Sequence, residues 1–438
     1  MNMRRSGAAA LVLFFAGSLF GEVKVFENFT LIDGTGRQPV GRQAMIVDNG
    51  RIRWVGPEAQ LQMPAGAERV DLAGKYVMPG LIDLHCHLGD VVGMTQDAKF
   101  FTRENVEHDL KTYASYGVTT VLSMGTEKDS IFQMRAEQRA GRPRVARIYT
   151  AGQGFVYKGS YGGLAGVTPQ VSNAAEVDAE MNKLAADHVD IVKFWIDDHN
   201  HTFKIKMPYS IAKAIIDSAH RHHLRVTAHV FYLADAKAVV NDGVDALAHE
   251  VRDQPVDQEL IDSMKKHGTW QQASTLYREE SLFIYGHNPK FLYSPFFTRG
   301  VSENVIKTLR SAAYQKSVRD DPEYDRYPGF FEMAKRNLKT LADAGIPYGT
   351  GTDAGPPGRF PGYSEQRELQ LMVDAGLTPM QVIVAATRSG AEFLGAKDLG
   401  TIAQGKWADL LILNRNPVEN IGNTEAINAV YIAGNRVN

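Results

Sequence analysis

Between residues 80 and 353, strand-like apolar segments alternate with helical patterns, and this alternation limits the possible folds more than any other feature. Eight candidate strands cover 80–85, 117–124, 147–152, 190–196, 225–230, 246–249, 269–275 and 348–353. Helical periodicity separates most of them, at 104–116, 173–188, 210–223, 233–241, 258–266 and 331–344. A strand returning to a parallel neighbour needs a crossover of a dozen or more residues, usually a helix. Eight such units predict a (β/α)8 TIM barrel over 76–395, with its reactive residues where the strands end.

The flanks have a different texture. Residues 22–75 and 396–438 carry short strand signals broken by turn residues. The clearest is Asp48-Asn49-Gly50 between two apolar runs, a strong short-range hairpin signal. The two blocks are expected to meet as one small β-sandwich domain. Ahead of them, Arg4 and Arg5 precede an uncharged run over 8–20 that is too short to span a bilayer. Small residues follow, so 1–21 reads as a secretory signal peptide, and the expected location is periplasmic or secreted with no membrane contact after cleavage. Residues 277–331 form an aromatic-rich insertion between the seventh strand and its helix. It is expected to serve either as a substrate wall or as a satellite core or oligomer contact.

Charge narrows the partners. Lys and Arg number 48 against 50 Asp and Glu, for a net charge of −2, so no basic surplus exists to neutralise a nucleic acid. A small-molecule substrate is the expected partner, and a homo-oligomer is compatible with the chain. The single cysteine, Cys86, cannot form an internal disulfide.

His85-Cys86-His87 closes the first strand, where residues two apart face the same way and can meet one metal ion. Cys86 then faces the opposite side and reads as packing. Two other His-x-His pairs are less suggestive. His220 and His222 end a helix, and His199 and His201 lie in a polar loop. His229 and His249 close the fifth and sixth strands, so four histidines converge on one mouth. Asp353 closes the eighth strand within Gly351-Thr352-Asp353-Ala354-Gly355, where it can be a ligand, a proton carrier or a turn residue. Lys193 lies in the apolar strand Val192-Lys193-Phe194-Trp195. There it must be ion-paired, neutral or modified, because burying a bare ammonium is costly. A free amine can also add CO2 to become a carbamate.

With these residues in place the chain resembles the amidohydrolase superfamily of metal-dependent hydrolases, and within it the imidazolonepropionase-like and prolidase-like branch. The matching stretches are Met78 through His87, Lys193, His229, Ala248-His249, Gly351 through Gly355, Ala375 through Pro379, Ala385-Ala386-Thr387, and Gly405-Lys406-Trp407-Ala408-Asp409-Leu410. The resemblance implies a barrel joined to a two-part β-sandwich, and a site for two divalent metal ions, with zinc favoured by the ligand types. His85, His87 and Asp353 would hold one ion and His229 and His249 the other. A CO2-derived carbamate on Lys193 would bridge them, and Asp353 would carry the proton during hydrolysis of an amide-type C–N bond. Two departures weigh against dipeptide specificity. The loop 152–159 lacks the histidine often found there in prolidase-like relatives, and Thr227 stands where many relatives have histidine.

The substrate expected is a dipeptide, an N-acyl amino acid or a related small molecule. Lactone, phosphotriester and deaminating hydrolysis are alternatives, as is a metal-binding protein without catalysis. Tyr157, Tyr232, Arg359 and Tyr363 lie in loops just beyond or beside ligand-bearing strands and are the candidate substrate contacts. Arg359 is the expected carboxylate clamp, unless it pairs with an acid such as Glu365.

Overall fold

The computed structural model describes residues 23–438, so the expected signal segment lies outside the described residues. All eight expected core strands are present: β1 (Leu81–Cys86), β2 (Val118–Ser123), β3 (Arg147–Thr150), β4 (Val192–Trp195), β5 (Val226–His229), β6 (Ala246–Leu247), β7 (Trp270–Ser274) and β8 (Tyr348–Thr350). They form two open parallel arcs, β3-β2-β1 and β4-β5-β6-β7-β8. Isolated contacts tie the arcs at their edges. Phe155 bridges to Phe194 at one seam, and Cys86 bridges to Ala354 at the other. This is a TIM-barrel-like α/β arrangement whose sheets are not continuous around the ring.

Local sequence explains the elements. In β4, Val192 and Phe194 join the apolar cluster beneath the surrounding helices. Alternation therefore turns Lys193 and Trp195 the other way. The helix Gln258–His267 starts where Asp257 accepts a hydrogen bond from the Leu260 amide, and it ends at Gly268 with φ of 70°. Its buried stripe is Leu260, Ile261 and Met264, the i, i+1, i+4 pattern of a helix with one face on a core. Cys86 is fully buried in the outer cluster with Leu110 and Tyr113, as its alternation required.

The two chain ends share a single sheet. Its order is Asn435–Arg436, Ile427–Ile432, Leu410–Leu413, Tyr76–Pro79, Val23–Leu31, Val40–Asp48 and Arg51–Pro57, with Glu68–Asp71 also paired to Val23–Leu31. The join is the antiparallel pairing of Leu410 with Pro79 and Leu413 with Tyr76. The blocks expected to form a sandwich are thus one mixed eight-stranded sheet. The Asn49-Gly50 turn is present, with Asp48 opposite Arg51 and both turn residues at positive φ.

The insertion is helical rather than an open loop. Its helices are Leu276–Ser281, Pro295–Thr298, Glu303–Arg310 and Ala312–Arg319, and it leads into Tyr327–Asp343. Tyr285 and Phe297 are fully buried. Phe297 packs edge-on against Tyr363 at 4.8 Å and against Phe360 at 5.5 Å. Most of its aromatics therefore build a satellite core, while its first helix reaches the mouth of the barrel. Among the described residues no helix is long and apolar enough to cross a membrane.

Candidate active site

All six expected ligand side chains are buried at or near the C-terminal ends of the strands, and His85, His87 and Asp353 gather most tightly. One oxygen of Asp353 lies 2.9 Å from His87 Nε2 and 3.5 Å from His85 Nε2. These three residues bring their ligand atoms within 4.8 Å of one another, close enough to share a metal ion. The Lys193 amine is 3.3 Å from His85 Nε2 and 4.9 Å above the Trp195 ring. The His249 ring sits 4.5 Å from that of His85 and 4.3 Å from that of His229. His229 differs in that its Nε2 faces the Asp197 carboxylate at 3.1 Å.

The backbone is shaped for this crowding. Asp353 has φ of 54°, a left-handed conformation that costs a non-glycine residue energy. It is held there as its amide and that of Thr352 both donate to the His85 carbonyl, at 2.7 and 3.1 Å. Glycine is required on either side. A Cβ on Gly351 would meet the His85 Cβ at 2.7 Å, and one on Gly355 would meet the His87 carbonyl at 2.4 Å.

Hydrogen bonds behind the histidines fix which nitrogen faces the cluster. Nδ1 of His85 donates to the Ala248 carbonyl at 3.3 Å. Nδ1 of His249 is 3.0 Å from Thr275 Oγ1, whose hydroxyl in turn donates to Glu250. Nδ1 of His87 is 3.0 Å from Thr126 Oγ1. With Nδ1 donating outward, Nε2 of His85 and of His249 presents a lone pair inward, the arrangement that orients metal-binding imidazoles. Burial, reinforced by Lys193, lowers the pKa of His85 well below its ordinary value. Burial and the neighbouring His229 and His85 do the same for His249, and burial lowers His229 to about 4 even though Asp197 opposes it. These imidazoles are neutral at pH 7 and able to ligate. Burial also lowers Lys193 to about 7 although Asp353 opposes it, and among the described residues no carboxylate lies within ion-pair distance of its amine. The donor set therefore fits divalent cations, and a free amine is available for carbamate formation.

Arg278 and Arg252 are the part that sequence reasoning missed. Nε of Arg278, on the first insertion helix, donates to the second oxygen of Asp353 at 3.0 Å, and Arg359 donates to the same oxygen. Arg278 also donates to Glu279. Glu279 in turn accepts from the fully buried Arg252 at 2.9 Å, which is itself anchored on the Val230 carbonyl at 2.8 Å. Burial acts to raise the Asp353 pKa, but Arg359 and the two histidines outweigh it and hold the carboxyl well below its usual range. Asp197 and Tyr161 were also missed. The available signal was position, since Asp197 lies four residues after Lys193 and Arg252 three after His249.

The four candidate substrate contacts separate. Arg359 is at the site, paired with Asp353 rather than with Glu365, which instead accepts from Thr352 and from the Gly362 amide. It lines a cleft of about 540 Å³ together with Val91, Glu104, Val301, Gly355 and Phe360. Tyr232 is on the rim, donating to Asp198 at 2.6 Å. Tyr157 is half-buried against the apolar cluster around β4 and β5. Tyr363 is buried among Tyr277, Phe291 and Phe297, so it packs the satellite core instead of facing the ligands. Of the other histidine pairs, His220 bonds Asp245 at 2.9 Å and is structural, whereas His199 stacks on Tyr161 next to His229.

Comparison with known proteins agrees with this geometry. Residues 76–437 match the profile of the amidohydrolase family. The chain is 25% identical over 398 residues to an imidazolonepropionase of Paracoccus denitrificans, covering 86% of this chain and 89% of that one. It superposes on the crystal structure of a Xaa-Pro dipeptidase with bound methionine at a TM-score of 0.71 and 21% identity, covering 94% and 99% of the two chains. An ochratoxinase from A. niger superposes at a TM-score of 0.71 and 18% identity, covering 95% of each. At these identities the two structures speak for the fold.

Proposed function

We propose, from the fact that this chain belongs to the amidohydrolase family, that it hydrolyses the amide C–N bond of a small substrate whose amine-derived half carries a carboxylate. Hydrolysis of C–N bonds is the family's chemistry. The choice of substrate is our reading, and it rests chiefly on the two guanidinium groups that share one oxygen of Asp353.

His85, His87 and Asp353 would hold one divalent ion, and His229 and His249 a second, with Lys193 as a carbamate between them. Zinc is the best match to this set of nitrogen and oxygen donors. When bound, such ions polarise the scissile carbonyl and lower the pKa of an attacking water.

The remaining work falls to the chain's own groups. Arg252, Arg278 and Arg359 are balanced by Asp197, Glu279 and Asp353, so any added cations leave the mouth positively charged and receptive to an anion. Arg359 lies between Asp353 and the open cleft, where an incoming carboxylate can draw it away in a bidentate contact. Losing that guanidinium raises the proton affinity of Asp353, which then takes a proton from the attacking water and passes it to the leaving amine. Arg278 stays in place because Glu279 and Arg252 hold it. Substrate binding would thus prepare the base.

The test is Arg359→Met, assayed on N-acyl amino acids and on their neutral amides. KM for the acids is expected to rise at least tenfold, with a much smaller change for the amides. Equal losses on both would make Arg359 a structural residue. A wild-type enzyme that instead turned over lactones or aryl phosphotriesters and no amide would defeat the reading itself.

A further inference from the structure

We infer that the loop 199–205, together with Tyr161, is an apolar subsite for the acyl half of the substrate. The preferred substrates would then pair a bulky hydrocarbon acyl group with the carboxylate at the other end. This rests on the C–N hydrolase reading above.

Tyr161 meets His229 edge-on at 5.4 Å and so borders the ligand cluster directly. It stacks on His199 at 4.6 Å and touches Phe203 at 5.5 Å. Phe203 is 40% exposed and Ile205 45% exposed. Ile205 lies over Gly159, its Cδ1 3.2 Å from where a Cβ there would stand. Ring surface therefore leads from His229 through Tyr161 to Phe203, and Ile205 stands two residues beyond Phe203 over Gly159. Single exposed apolar side chains are normal on a protein surface. Here Phe203, Ile205 and Tyr209 cluster within seven residues at the barrel mouth, whereas the other strongly exposed large apolar residues among those described are scattered.

The backbone carries a cost to keep this surface in place. His199, Asn200 and His201 have φ of 50°, 52° and 64°, three successive left-handed residues without a glycine. Asp197 and Asp198 hold the turn by accepting from the His199 and His201 amides, each at 2.9 Å. Asn200 bonds Glu323 of the insertion. The effect is to turn Phe203 and Ile205 outward beside the mouth.

Topology supplies the second end. Tyr161 and Phe203 follow β3 and β4, while Arg359 follows β8, at the opposite edge of the β4–β8 arc. Tyr161 lies within electrostatic reach of Arg278, Asp353 and Arg359, so it borders the ligand cluster, and Phe203 lies beyond it. A molecule with its carboxylate at Arg359 and its acyl chain on Phe203 and Ile205 would place its C–N bond over that cluster.

The experiment compares N-acetyl-, N-butyryl- and N-octanoyl-L-alanine on zinc-loaded wild type and on a Phe203→Ser/Ile205→Ser variant. Both side chains are solvent-exposed, and unchanged thermal unfolding would establish that the variant folds. In wild type, kcat/KM should climb with chain length, at most by roughly fourfold per buried methylene. The variant should lower the octanoyl-to-acetyl ratio at least tenfold. A flat wild-type series, or equal losses on all three substrates, would overturn the subsite. If wild type hydrolyses none of them, the hydrolase reading fails for this substrate class. Calorimetric binding of octanoate against acetate then decides the subsite alone, and equal affinities in wild type and variant would reject it.

Discussion

Lys193 combines full burial, a pKa near 7 and no acidic partner, and it sits beside an imidazole. Removing it should therefore take away part of the metal-binding set and not merely a packing contact. Lys193→Ala is expected to lose most activity and at least half of the bound metal, with added short carboxylic acids restoring some of both. Wild-type metal content measured by elemental analysis, together with normal activity, would reject the bridging role. Asp353→Asn separates ligation from proton transfer, because an amide still offers one oxygen but takes no proton at neutral pH. Metal content should fall modestly while kcat falls by about 10²–10⁴. Both must be measured on one sample with a substrate whose chemistry limits turnover, and near-normal kcat there would end the proton-carrier assignment. That these candidate residues would converge was legible because each lies in or just beyond an apolar strand. Arg278 was not, because its path to Asp353 depends on a helix in an insertion whose course no periodicity foretells.

Among the elements, the helix Tyr363–Asp374 shows how buried acids hide a helix from its sequence. Its inward face includes Ser364, Glu365 and Glu368, so the apolar stripe that marks an amphipathic helix is interrupted. Glu368 accepts from Ser274 Oγ at 2.7 Å and from the Leu276 and Tyr277 amides at 3.0 and 2.6 Å. It thereby steadies the short helix that carries Arg278. Burial, with Glu250 nearby, raises its pKa to about 8. The folded protein thus keeps a proton on Glu368 that the unfolded chain releases near its ordinary carboxylate value. The stability this contributes is present at acid pH and is lost as pH rises toward 8. Glu368→Gln cannot titrate, so its melting temperature should decline less steeply than that of wild type between pH 5 and 8. Parallel curves from calorimetric melting would refute the assignment. By contrast, the helices Ala174–Ala186, Tyr209–Arg221 and Leu233–Asn241 were legible because most of their buried residues are apolar and regularly spaced, with Ser218 and Asp235 as the buried polar exceptions.

The molecule as a whole is tied together by contacts between residues far apart in the chain. Arg147 of β3 grips Asp409 with two bonds, at 2.7 and 3.1 Å, and Asp409 also accepts from the Ala433 amide. The pair joins the barrel to the terminal sheet with both partners largely buried. Asp409→Ala would strand the guanidinium in that setting, at a cost of about 3–5 kcal/mol. Urea unfolding should show this loss while kcat per folded molecule stays near that of wild type. A variant as stable as wild type would mean that water replaces the carboxylate. Sequence alone determined the parallel βα order, the inner and outer sides of each strand, and which side chains stand at the strand ends. These follow from periodicities of two and 3.6 residues, which act within a few residues of chain. Only tertiary structure decided that Arg359 pairs with Asp353 instead of Glu365, that Tyr363 packs in a core, and that the chain ends share one sheet. Those outcomes depend on packing between segments far apart in the chain, as in the pairing of Tyr76 with Leu413, 337 residues on, and no local pattern specifies such distances.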